Sequence, residues 1–122
     1  MIVDDDPAQI FTVEEILKEA EGKYKVISAN SGMDCLQLLK NNEIPDLILL
    51  DIMMSGMSGW DVFEHLKEKT EWKEIPIIFL TALTDKYSKT LGRMTADDYI
   101  EKPYDPEHLK NRIEKVLKKN KK

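Results

Sequence analysis

The chain opens MIVDDDP, three carboxylates in a row (Asp4, Asp5 and Asp6) directly after a three-residue apolar stub. Another carboxylate, Asp51, closes the apolar run LILLD, Thr81 closes IPIIFLT, and Lys102 follows DYIE. Each polar group therefore stands at the end of a stretch apolar enough to be a buried strand. Two carboxylates about 4 Å apart repel by roughly 1 kcal/mol in water and about 4 kcal/mol at the effective dielectric of a protein surface. Three in one cleft need a cation, and an all-oxygen set suits Mg²⁺, which retains waters and uses one or two carboxylates. The plainer reading of the run is a solvated helix start, where anions gain about 0.3 to 1 kcal/mol. That reading suits Asp6, which precedes Pro7, better than Asp4 or Asp5.

Strand-like and helix-like stretches alternate along the whole chain. The predicted strands are MIV, KVISA (25–29), DLILLD (46–51), IPIIFLTAL (75–83) and DYIE (98–101). Between them run helical periods: Ile10, Val13, Ile16, Leu17 and Ala20, ended by Gly22; Cys35, Leu36 and Leu39 around 34–41; and Trp60, Phe63 and Leu66 after the glycine-bearing loop MMSGMSGWD (53–61). A weak fourth helix is predicted over 85–94, with Leu91 and Met94 and an interrupting Gly92. A fifth starts at the cap Asp105 and Pro106 and carries Leu109, Ile113, Val116 and Leu117. Such alternation predicts an α/β doubly wound open parallel sheet with helices on both faces. Its ligands bind at the carboxyl ends of the strands, where Asp4, Asp5, Asp51, Thr81 and Lys102 would meet.

At 122 residues the chain fits a single domain over 1–122, able to bury roughly two-thirds of its unfolded surface. With 42% hydrophobic and 34% charged residues it is too apolar for a disordered protein. The net charge of -5 predicts no direct nucleic-acid binding and no attraction to anionic lipid. A lone Cys35 allows no internal disulfide, and two histidines, His65 and His108, offer no zinc cluster, which together favour a cytoplasmic setting. No apolar run approaches the ~20 residues of a membrane span.

The motifs VDDD (3–6), LILLDIMMSGMSG (47–59), FLTA (79–82) and DDYIEKP (97–103), in this order and spacing, resemble the receiver domain of two-component response regulators. The resemblance spans essentially the whole chain. It implies a (βα)5 flavodoxin-like sheet of strand order 2-1-3-4-5, with Asp51 as the phosphorylation site. It further implies that Asp5 and Asp51 bind Mg²⁺ directly, Asp4 through water, and the backbone carbonyl of Met53 completes the protein's share. Lys102 and the Thr81 hydroxyl would neutralise phosphoryl oxygens, and the bond before Pro103 would be cis. Thr81 and Tyr99 would form the switch, with the Tyr99 ring moving inward as Thr81 is drawn to the site. The output face would be the fourth helix, fifth strand and fifth helix, also a surface for a phosphorylation-dependent homodimer.

The implied partners are a sensor histidine kinase or histidine phosphotransfer protein and a downstream effector, with Gln9, Ile10, Tyr104 and Asp105 as candidate docking residues. Three departures stand out. Ser55 sits where the family usually has proline, which predicts a looser loop after Asp51. Thr95 sits where it often has glycine, and the stretch from Thr81 to Lys102 is slightly short. Met53 and Leu83, at the two positions that tune acyl-phosphate lifetime in the family, are apolar and predict slow autodephosphorylation. A haloacid-dehalogenase-like phosphatase is disfavoured, because Asp6-Pro7-Ala8 departs from its nucleophile motif and its last acidic motif is missing. A phosphorylation-independent interaction module is disfavoured by the intact Asp5, Asp51, Thr81 and Lys102. The lysines of the tail KVLKKNKK suit the negative end of the last helix. An effector domain after residue 122 is compatible with the sequence.

Overall fold

The computed structural model describes residues 1–20, 22–82, 90 and 95–120. Five strands, β1 (Ile2–Val3), β2 (Ser28–Ala29), β3 (Ile48–Leu50), β4 (Ile77–Thr81) and β5 (Asp98–Glu101), form one parallel sheet in the order β2-β1-β3-β4-β5. The chain is the predicted α/β flavodoxin-like fold. The register places Val3 beside Ala29 and Leu50, Leu50 beside Phe79, and Thr81 beside Glu101.

The strands are shorter than their apolar runs. KVISA yields only Ser28–Ala29 because its partner β1 offers just two residues to pair with. Alternate residues of each strand enter two separate cores. Val3, Ile48, Leu50, Ile77 and Phe79 face α2 (Gly32–Lys40) and α3 (Gly59–Glu68). Ile2, Leu49, Ile78, Leu80 and Ile100 face α1 (Pro7–Lys18) and the C-terminal helix α4 (Pro106–Lys119). Strands covered on both faces explain why DLILLD and IPIIFLT read as unbroken apolar runs.

Helix starts follow the caps. Asp6 and Asp105 each cap a helix whose first residue is proline, Ser31 accepts from the Asp34 N–H, and Ser58 and Asp61 form a reciprocal capping box. Ser31 moves the start of α2 two residues ahead of the predicted Asp34. α1 ends at Lys18, not at Gly22, because the chain tightens there: Ala20 N–H bonds to Leu17 O, and Gly22 serves the following turn at φ +78°. Trp60 and Phe63 are only partly buried, their rings resting on Phe79 at 4.8 and 5.6 Å. The predicted helix over 85–94, apart from Thr90, and Leu83 lie outside the described residues.

Candidate functional site

The parallel ladder runs one step beyond each strand. Asp4 N–H bonds to Ala29 O, Asp51 N–H to Val3 O, and Lys102 N–H to Thr81 O. These bonds fix the first residue after β1, β3 and β5 in adjacent rows at one rim, next to Thr81 at the end of β4. The strand ends alone thus bring an acid pair, a hydroxyl and an ammonium together.

Asp4, Asp5 and Asp51 place carboxylate oxygens within 4.8 Å of one another. Asp4 and Asp51 are 4% and 7% exposed, while Asp5 is exposed. Both Asp4 oxygens are engaged: Oδ1 accepts from Asp6 N–H at 2.9 Å and Oδ2 from Lys102 Nζ at 2.8 Å. Lys102 Nζ also stands 3.7 Å from Asp51 Oδ2. Asp51 Oδ1 accepts from Met53 N–H at 3.3 Å, and the Thr81 hydroxyl bonds to the same carboxyl group. Burial pushes the Asp51 carboxyl above the usual carboxylate range and Asp4 adds to the rise, while Lys102, Thr81 and the Met53 N–H oppose it.

Asp5 is held differently. Its Oδ2 accepts from the Ser55 N–H at 2.8 Å, across fifty residues of chain. The expected looseness of the loop after Asp51 therefore meets an explicit tie, and a proline at 55 would lack the donor. Asp6 points away from the cluster and caps α1 by accepting from Ala8 N–H at 3.0 Å.

The donor set fits a hard divalent cation. Three carboxylates face one ammonium, so two negative charges are left for an ion that favours oxygen ligands. Among the described residues this is the one group of three or more acidic, histidine or cysteine side chains placed for a metal. With both oxygens occupied, Asp4 is better suited to hold a metal-bound water than the metal itself. Asp5, whose one bond among the described residues is to the Ser55 N–H, keeps acceptor capacity for an ion in the common space.

The Lys102–Pro103 peptide bond is cis. Tyr99 is 3% exposed, its ring edge-on to Phe79 at 6.3 Å. Ile10 is a correction: it is buried in the core against β1 and α4 and offers nothing to a docking partner. The exposed apolar residue of that helix is its neighbour Phe11, at 63%. Sequence reasoning also missed Gly59, packed against the backbone of Asp51 and Ile52, and the Ser55 N–H, a main-chain donor with no side-chain sign.

The family described as the response regulator receiver domain matches residues 1–114. The transcriptional regulatory protein YvrH of Bacillus subtilis (strain 168) is 38% identical over 120 residues, which cover 98% of this chain and 48% of that protein. The response regulator SaeR of Staphylococcus aureus (strain USA300) is 37% identical over 126 residues, covering 100% of this chain and 52% of SaeR. The chain thus spans about half the length of these curated relatives. Among solved structures, a CheY-like receiver domain protein from Methanospirillum hungatei JF-1 superimposes with TM-score 0.75 at 39% identity, covering 96% of this chain and 89% of that one. The BeF3-activated DrrB receiver domain does so with TM-score 0.80 at 32% identity, covering 96% and 94%.

Proposed function

The chain belongs to the response regulator receiver domain family, and on that premise we propose that it is a phosphorylation-controlled switch with Asp51 as acceptor. The observation that carries this reading is the convergence of Asp51 with Lys102, Thr81, Asp4 and Asp5 at one sheet rim. An Asp51 carboxylate oxygen attacks the phosphorus of a phosphohistidine in line. The new O–P bond forms as the P–N bond breaks, and the leaving imidazole keeps the electron pair. Such a transfer depends on positioning and on neutralising the equatorial oxygens, the task of the Lys102 ammonium and the Thr81 hydroxyl. Asp5, Asp51 and the Met53 carbonyl would hold Mg²⁺, with Asp4 contacting it through water, and the ion would add its charge to that neutralisation.

Thr81 drawn toward the phosphoryl group would favour the buried Tyr99 position and so alter the face around β5 and α4. That face would carry the signal to an effector or a second copy of the chain. Residues 1–122 read as one receiver domain, catalysing only its own phosphorylation and, with apolar Met53 and Leu83, a slow dephosphorylation. The donor would be a sensor histidine kinase or a histidine phosphotransfer protein, in the cytoplasm. The name of YvrH, a transcriptional regulatory protein, makes transcriptional control the first output to test for a longer protein. Incubation with acetyl phosphate and Mg²⁺ should add one phosphoryl mass, absent in Asp51→Asn and in EDTA. Modification that persists in Asp51→Asn would move the acceptor elsewhere.

A further inference from the structure

Two separate chain segments supply the cluster of acidic and main-chain groups at the rim: Asp4 and Asp5 after β1, and the 51–58 loop after β3. One side chain-to-backbone bond joins them above the sheet, Ser55 N–H to Asp5 Oδ2 at 2.8 Å. At its base the loop is closed by Gly59 N–H to Ile52 O at 2.8 Å, and Gly56 turns it at φ +75°. Asp5 is exposed, so without this donor its carboxylate would rotate in solvent.

We infer that the Ser55 N–H is a positioning group for the divalent cation: it fixes the Asp5 carboxylate beside Asp4 and Asp51 and braces the loop that carries Met53. This rests on the metal reading above. Donors that hold a ligating side chain from behind commonly change metal affinity 10- to 100-fold when removed. Here the donor belongs to the main chain, so only substitution by proline deletes it.

The test is Mg²⁺ affinity by calorimetry for wild type, Ser55→Pro and Ser55→Ala. Ser55→Pro should bind about 10-fold more weakly, and Ser55→Ala, which keeps the N–H, should match wild type. Equal affinity in wild type and Ser55→Pro overturns the proposal, as does an equal loss in Ser55→Ala and Ser55→Pro, which would assign the effect to the hydroxyl. Absence of Mg²⁺ binding in wild type would instead remove the metal reading itself. A measurement independent of the proline variant is amide hydrogen exchange in EDTA. The Ser55 amide should be protected in wild type and exchange at least 10-fold faster in Asp5→Ala; unchanged exchange overturns the bond on which the proposal stands.

Discussion

The Lys102 ammonium is bonded to Asp4 at 2.8 Å and stands 3.7 Å from the phosphoacceptor candidate Asp51. The lysine is thus committed to the acid that has both oxygens in use, and it is poised one small displacement from Asp51. Removing it leaves three clustered carboxylates without that cation. Loss of one partner from a fully buried pair costs about 3–5 kcal/mol. The Lys102 side chain is 14% exposed at an open rim, so Lys102→Ala should cost less, about 2 kcal/mol, in urea unfolding at pH 7 with EDTA. Saturating Mg²⁺ should recover part of that loss. An equal loss with and without Mg²⁺ would show that the lysine acts on stability through packing alone.

Mg²⁺ should stabilise the wild-type protein, because the ion binds the folded cluster and not the dispersed carboxylates of the unfolded chain. At one hundred times Kd the gain is about 2.7 kcal/mol, which for a domain of this size raises Tm by on the order of 10 °C. Asp5→Ala should abolish most of the rise while leaving the fold intact, since Asp5 is exposed and its one bond in the described residues is to Ser55. A scan showing no Tm change at saturating Mg²⁺ would refute the metal assignment.

The rim was legible in the sequence because it needs little more than the end of each apolar run. Asp4, Asp51, Thr81 and Lys102 follow from strand boundaries and from a parallel sheet, whose carboxyl ends share one side. The division of the acidic run was legible too, since Pro7 marks Asp6 as a cap. What stayed hidden depends on main chain or on phase. The Ser55 bond is made by a backbone N–H, and Gly59 is defined by a backbone approach, so no side-chain pattern announces either. Ile10 and Phe11 are adjacent, and the helical period shared with Val13, Ile16 and Leu17 turns Ile10 to the core and leaves Phe11 exposed. Tyr99 alternates with Asp98 and Ile100 in β5, and its inward ring reflects the room beside Phe79, a tertiary fact.

Gly59 links the acceptor loop to helix α3 with no space for a side chain. A Cβ there would stand 2.3 Å from the Asp51 carbonyl oxygen and 2.6 Å from the Ile52 Cα, both backbone atoms. Gly59→Ala must therefore move Asp51, the phosphoacceptor candidate. Overpacking of this kind costs about 1–3 kcal/mol, and urea unfolding should fall in that range, with slower modification of Asp51 by acetyl phosphate. Gly56 is the internal control: it has φ +75° but open space, so Gly56→Ala should show only the left-handed backbone cost of about 1–2 kcal/mol. Its effect on Asp51 modification should be smaller than that of Gly59→Ala.

Cys35 gives the stability its own alkaline dependence. The thiol on α2 is fully buried, and desolvation, with Asp34 adding to it and the chain's terminal ammonium opposing, pushes its pKa up to about 12. In the unfolded chain the thiol ionises near about 8.5. Between those values the unfolded state gives up a proton that the native state keeps, so stability falls as pH rises, with a slope of up to about 1.4 kcal/mol per pH unit. Below the unfolded pKa the penalty is absent. Other groups titrate in the same window, but they cancel in the difference between wild type and Cys35→Ala. Wild type should be the more stable at pH 7.5, because Cys35→Ala leaves a cavity, and its advantage should shrink by about 2 kcal/mol by pH 10. The native thiol should also resist a disulfide reagent at pH 8 and react fully after unfolding. A pH-independent stability difference, together with immediate labelling of the folded protein, would place the Cys35 thiol in contact with solvent and contradict its position in the core.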